Sequence, residues 1–341
     1  MSAKKIGVVM KRVLLCLLVN LCVYASRVYL IPCKGLSMEQ LTAFPGTGFG
    51  SAPFIHLKAA LESEGYEVFF SSDGVNIEDP IAIISFGRMD HALLRELGRF
   101  PREQSLLFSF EPPVVSPKVY NPSYTYAFGK VFVLWQDVVD NVRYFKFHYP
   151  QPRLSMIESE IPFKEKKLAA LIAGNKNSVH AQSLYAGRLD LIKFFEKVNP
   201  SALDLYGPGW DGFLSWKGCV SSKWETLKHY KFGFCYENMH SQRGYITEKI
   251  FDVMVSGCVP VYLGAVDITD YVPATCFVDR RSFSSNKELY TFLERMDEST
   301  HAGYLKAIRD FFASEEAKLF SVEHFAEEII REIHLIEKIK K

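Results

Sequence analysis

Residues 245–264 read YITEKIFDVMVSGCVPVYLG, a helix and a buried strand joined through one glycine. Thr247 stands at a helix N-cap with Glu248 and Lys249 in the first turn, and Ile250, Phe251, Met254 and Val255 share one helical face. Gly257 ends the helix, 259–263 reads as a strand, and Gly264 turns the chain. Outward from here the same alternation recurs. In the first half, strands are expected at 28–31, 67–70, 81–86 and 106–110, with helices at 54–64 and 91–97. A polar, proline-containing stretch at 149–167 breaks the rhythm and reads as a linker. Beyond it, strands at 168–173, 203–206, 259–263 and 273–279 alternate with helices at 188–196, after Thr247, at 286–296 and at 303–313. An amphipathic helix from Val322 closes the chain. The pattern predicts an α/β protein with two parallel sheets, in domains spanning 27–155 and 156–321 with a closing helix over 322–341. A ligand cleft is expected between the halves, at the carboxyl ends of the strands.

With 341 residues, a net charge of +1 and 48% hydrophobic residues, the chain can fill two ordinary cores. That balance argues against a nucleic-acid partner and against disorder. The seven cysteines are scattered without CxxC spacing and read as small buried hydrophobes. Lys4, Lys5, Lys11 and Arg12 precede an apolar run at 13–25, so residues 1–26 are expected to be a signal peptide or signal-anchor. This implies a secretory route or membrane association through that segment. Both Asn-x-Ser matches, at Asn121 and Asn199, carry proline at x and cannot be glycosylated.

Three side chains carry candidate chemistry. Lys249 in a first helical turn opposes the macrodipole at a cost of roughly 0.3–1 kcal/mol, unless an anion docks there; the alternative is a surface lysine paired with a neighbouring glutamate. Arg188 has no carboxylate three or four residues away, so it is either a phosphate ligand or an exposed cation. Glu111 follows a strand cut short by Pro112-Pro113, at the sheet edge where such folds bind ligands. It is either a general base or a solvated turn residue. The run Gly207–Gly212 matches G-x-G-x-x-G, but no periodic helix opens on its third glycine, so a tight turn is favoured over a dinucleotide fingerprint. No DxD pair or His/Cys cluster suggests a metal.

The segments Tyr230 to Asn238, Gly244 to Lys249 and Gly257 to Gly264 together resemble the donor-binding signature of the α-1,3/α-1,4-fucosyltransferases, glycosyltransferase family ten: a "YKF…FEN" strand and loop, "YITEK", then "G-x-VPV-x-LG". The resemblance implies a GT-B fold, two Rossmann-like domains facing across a cleft, and GDP-fucose as donor substrate with no cofactor or metal. It implies that Lys249 and Arg188 neutralise the pyrophosphate, that Asn238, Tyr245 and Glu248 contact ribose or fucose, and that Glu111 deprotonates a hydroxyl of a glycan acceptor. A sibling transferase using another nucleotide sugar, and a non-catalytic glycan-binding module, remain alternatives.

Overall fold

The computed structural model describes residues 26–33, 52–71, 76–158 and 161–340. Apart from Ser26, the segment expected to be a signal or anchor lies outside them. No helix among the described residues is long and apolar enough to cross a membrane.

Two fully parallel sheets form the frame. The first holds β1 (Arg27–Ile31), β2 (Glu67–Phe70), β3 (Pro80–Phe86), β4 (Ser105–Ser109), β5 (Lys130–Val133) and β6 (Tyr144–Lys146), in the order β2-β1-β3-β4-β5-β6. Its helices are α1 (Ala52–Ser63) and α2 (His91–Leu97). The second sheet has the order β11-β10-β9-β7-β8, from β7 (Lys167–Ile172), β8 (Leu203–Tyr206), β9 (Tyr230–Tyr236), β10 (Val259–Leu263) and β11 (Val278–Asp279). Its helices are α3 (Tyr185–Val198), α4 (Lys223–Leu227), α5 (Glu248–Val255), α6 (Asn286–Arg295), α7 (Glu298–Phe312) and α8 (Glu315–Lys318). This is the expected pair of Rossmann-like domains. Strands β3 and β4 are buried along their whole length, which explains why they read as continuous apolar runs rather than alternating ones.

The closing helix α9 (Val322–Lys340) returns to the first domain. Its Phe325, Ala326, Ile329, Ile333 and Ile336 join the core formed by Leu57 and Leu61 of α1 with Leu30 and Phe108 of the sheet. Each buried phenylalanine or isoleucine among them contributes about 1.5–3 kcal/mol by leaving water, enough to fasten the end of the chain to its beginning. At the hinge of that return, the Gln151 N–H donates to the Phe320 carbonyl at 2.6 Å.

Some elements differ from the sequence expectation. Strands β5 and β6 were not foreseen, because four and three residues are too few to show a period. The expected strand at 273–279 shrinks to Val278–Asp279, since Pro273 begins a tight turn closed by the Cys276 N–H on its carbonyl. Helix α7 begins five residues before the expected Gly303, because the Asp297 carboxylate caps it by accepting from the Thr300 N–H at 2.7 Å.

Candidate active site

In the second sheet β7 is flanked by β8 on one side and β9 on the other, so the order in which strands are added reverses there. A doubly wound sheet binds ligands at such a switch point, outside the carboxyl ends of the strands. The loop Gly174-Asn175-Lys176 leaves β7 there, Asn238 leaves β9, and the first turn of α3 brings Tyr185 and Arg188 to the same edge. Opposite them, the end of β4 presents Phe110 and Glu111. These groups, with Tyr149 and the beginning of α5, enclose a cavity of about 240 Å³. All six residues singled out from sequence (Glu111, Arg188, Asn238, Tyr245, Glu248 and Lys249) line it. A larger groove of about 850 Å³ runs between residues 154–166 and α7, but none of those six residues reaches it.

The cavity surface carries four cations, Lys176, Arg188, Lys223 and Lys249, against the carboxylates of Glu111 and Glu248. Lys249 combines its two sequence readings. It faces the cavity, yet it is also paired with a glutamate, and that glutamate is interior. Its Nζ lies 3.0 Å from Glu237, which is 0% exposed, and 2.9 Å from the Thr247 hydroxyl. Burial opposes the charge on Lys249, but Glu237 and Glu248 outweigh it and hold the ammonium protonated, above its ordinary range. Thr247 occupies the N-cap position, but its side chain does not cap the helix. The Glu237 carboxylate takes both its hydroxyl, at 2.8 Å, and its N–H, at 2.9 Å. The competing partner is the stronger one, a buried carboxylate whose oxygens accept from both groups at once.

Arg188 is not the exposed cation of its alternative reading. It is 4% exposed, and its Nη2 donates to the carbonyls of Tyr236 at 2.8 Å and Glu237 at 3.1 Å. Its Nε has no partner, and no carboxylate lies within ion-pairing distance of it among the described residues. Burial depresses its proton affinity, although a guanidinium stays charged in any case. The guanidinium also lies 5.3 Å from the centre of the Tyr185 ring, but a buried cation held by carbonyls and a ring face is costly unless an anion completes its surroundings.

Glu248 is held the other way. Burial disfavours its ionisation, but Lys249 and Lys223 overcome this and bring its carboxyl down to about 2. Lys223 in turn bonds Asp252 at 2.7 Å, and the Tyr149 hydroxyl bonds Glu248. The side chain of Tyr245 is 1% exposed and belongs to the first domain's core, so it forms a wall of the cavity rather than a free arm. Asn238 is half-buried, and its carbonyl accepts from the Leu184 N–H at 3.1 Å, tying the end of β9 to the start of α3.

Glu111 is reached by solvent, but both domains crowd around it. That desolvation raises its carboxyl above the ordinary range; Lys249 pulls the other way and Glu248 reinforces the rise. The Gly207–Gly212 run is a turn, as expected. Trp210 within it donates from Nε1 to the Ala173 carbonyl at 2.6 Å, bracing the loop after β7. Among the described residues no group of three or more His, Cys, Asp or Glu is placed to hold a metal.

Sequence reasoning missed Glu237, Lys176, Lys223 and Tyr149. Lys176 was within reach, since a Gly-Asn-Lys loop directly after the first strand of a Rossmann-like half is where phosphate ligands gather. Glu237 lay inside the quoted signature, as a carboxylate closing an apolar strand, but its part in holding Lys249 was not read from it, and Lys223 and Tyr149 had no signal.

The family model described as glycosyltransferase family 10 (fucosyltransferase) C-term matches residues 162–326. Similar curated proteins include 4-galactosyl-N-acetylglucosaminide 3-alpha-L-fucosyltransferase 9 of Mus musculus, 28% identical over 157 residues, which are 45% of this chain and 40% of that protein. An alpha-(1,4)-fucosyltransferase of Arabidopsis thaliana is 38% identical over 71 residues, 21% of this chain and 18% of that one. The chain thus spans 40% or less of the length of these relatives. Among solved structures, an alpha1,3-fucosyltransferase superposes with a TM-score of 0.54 at 15% identity, covering 91% of both chains. The alpha1,3-fucosyltransferase with GDP-fucose gives 0.52 at 14% identity over 93% and 92%. T4 phage β-glucosyltransferase gives 0.55 at 13% identity over 90% and 99%. At such identities the likeness is one of fold, and that fold is GT-B. The domain that carries Arg188, Glu237 and Lys249 is thus the part of the chain that matches glycosyltransferase family 10, the fucosyltransferases.

Proposed function

We propose that the protein transfers L-fucose from GDP-fucose to a glycan hydroxyl, with inversion at the anomeric carbon and without a metal, and that the bond formed is α-1,3 to a GlcNAc or Glc residue. The observation that carries this reading is the buried, carboxylate-free guanidinium of Arg188 beside Lys249, with Glu111 across the same cavity. Arg188 and Lys249 bind the diphosphate and stabilise the charge that builds on its β-phosphate as the C1–O bond breaks. Glu237 acts as a positioning residue, holding Lys249 where the leaving group departs. Glu111 accepts the proton of the attacking hydroxyl as that oxygen bonds to C1, and GDP leaves with the electron pair of the broken bond. The raised pKa of Glu111 suits it to this task, because a base works best when its affinity for the proton approaches the working pH. Asn238 and Glu248 stand where ribose or fucose hydroxyls would bond, and Tyr245 bounds the same space.

Calorimetry of GDP, GDP-fucose, GDP-mannose and UDP-sugars tests the donor, and proton NMR of the product's anomeric centre tests the inversion. Tight binding of GDP and GDP-fucose alone is expected. Preference for a uridine nucleotide would move the assignment to a sibling transferase, a reading favoured by the fold shared with T4 phage β-glucosyltransferase. Glycan affinity independent of GDP, with no turnover, would reduce the protein to a binding module. For residues 1–26 we retain a signal or anchor on the secretory route, to be tested by N-terminal sequencing of the mature protein.

A further inference from the structure

We infer that Trp135 and Tyr120 form the acceptor subsite, an aromatic platform that receives the apolar C–H face of the pyranose ring carrying the attacking hydroxyl. This rests on the role of Glu111 given above. Strands β4 and β5 pair with Ser109 beside Val133. Glu111 and Trp135 each lie two residues beyond that pair, so they emerge from neighbouring strands at one level of the cleft edge, where strands stand about 4.8 Å apart.

A second connection reaches the same place independently. The Tyr120 hydroxyl donates to the Glu111 carbonyl at 2.9 Å, and the Tyr120 ring lies 5.6 Å from the Trp135 ring at 59°. Both rings are only half-buried. The Trp135 Nε1 donates to Asp137 at 3.0 Å, which orients the indole, and Asp137 also stands 3.8 Å from Arg243 of the opposite domain.

A hexose has a hydroxyl edge and an apolar face. To react, its hydroxyl must come within about 2.6–3.2 Å of the base. With that edge against Glu111, the apolar face falls on the flanking wall, which here is aromatic. Asp137, with acceptor capacity beyond its bond from the indole, is placed to take further hydroxyls. The donor side of the cleft differs: beside Tyr185 and Tyr245 its wall carries Lys176, Arg188, Lys223, Glu248 and Lys249.

The test is an array of neutral oligosaccharides, N-acetyllactosamine among them, probed with GDP present. The wild-type protein is expected to bind at least one. Trp135→Ala should lose that signal tenfold or more and Trp135→Phe about threefold, while GDP raises the melting temperature of both variants as it does the wild type. Should Trp135→Ala fail to fold, Trp135→Leu, which keeps apolar volume without a ring face, is read in the same way. Undiminished glycan binding by the variant, or a wild type that takes GDP but no glycan, overturns the platform. A wild type that ignores GDP overturns the fucosyl-transfer reading beneath it.

Discussion

The two walls of the cleft are made of different materials. The wall on the second sheet is an ionic lattice, in which Lys249, Glu237, Thr247, Glu248, Lys223 and Asp252 are linked around the start of α5. The wall on the first sheet is aromatic, with Phe110 packed edge-on to Phe147 at 5.2 Å and to Tyr149 at 5.3 Å behind Glu111. An ionic wall is fixed by mutual satisfaction, since each buried charge is tolerable only while its partner stays. An aromatic wall tolerates exchange of similar volumes. The difference accounts for a second-domain wall that can be read as a signature and a first-domain wall that cannot.

The largest effect is expected at the ionic wall. Lys249→Ala leaves Glu237 buried without its cation and should cost about 3–5 kcal/mol of stability, besides abolishing GDP binding. Denaturant unfolding of Lys249→Ala, Glu237→Gln and the double variant measures the coupling. If Lys249→Ala proves no costlier than a surface substitution, the contrast between the walls fails.

Next in size is Glu111→Gln on the other wall. Transfer should fall by about 10²–10⁴, while the GDP-induced thermal shift persists. On the proposed role of Glu111 as base, transfer by the wild type needs its ionised form, so its raised pKa should place the acid limb of the rate profile above the usual carboxylate range. A limb at the ordinary carboxylate pKa would remove Glu111 from the role of base.

A matched pair of glycines sharpens the comparison. A Cβ on Gly264 would lie 2.5 Å from the Glu237 Cγ, and one on Gly129, in the first domain, 2.7 Å from the Arg102 carbonyl. Each alanine should cost about 1–3 kcal/mol through overpacking. Only Gly264→Ala should raise the KM for GDP-fucose, because only it displaces the carboxylate that holds Lys249. Equal donor kinetics in the two variants would deny Glu237 its positioning role.

The smallest effect concerns the seam between the domains. Lys146 donates from Nζ to the carbonyls of Leu134 and, at 2.7 Å, of Gly244 in the second domain; burial lowers its pKa to about 7. Gly244 has φ +68°, and a Cβ there would meet the Lys146 Nζ at 2.9 Å, so no other residue fits easily. An unfolded lysine stays protonated to about pH 10.4. The unfolded chain therefore binds more protons between pH 7 and 10, and this lysine's contribution to stability should rise with pH across that window and fall away as pH drops through 7. Melting curves should show a modest rise that Lys146→Met flattens; an identical slope in the variant would mean that the seam does not titrate.

Most of the fold was legible, because each long strand or helix writes its period into neighbouring residues. The apolar face of α5 and the runs of β3 and β10 could be read directly, whereas β5 and β6 could not, having too few residues to repeat anything. Helix α7 was misplaced at its start because a cap such as Asp297 looks like any acidic residue until the Thr300 N–H is seen on it. Within the site, Lys249, Arg188 and Glu111 were found by position relative to their elements. Glu237 was not, since its importance lies in being unexposed, and burial depends on what packs above it.

Local chemistry along the chain thus specifies the alternation of strands and helices, the family signature at 230–264 and the residue types available for a diphosphate. Bringing Glu111 opposite Lys249 required the two sheets to face each other, whereas burying Arg188 on the carbonyls of Tyr236 and Glu237 and setting Trp135 beside Glu111 required pairing and packing within each domain. Those relations join residues well separated along the chain, and only packing, helped by α9 folding back onto the first domain, sets such distances.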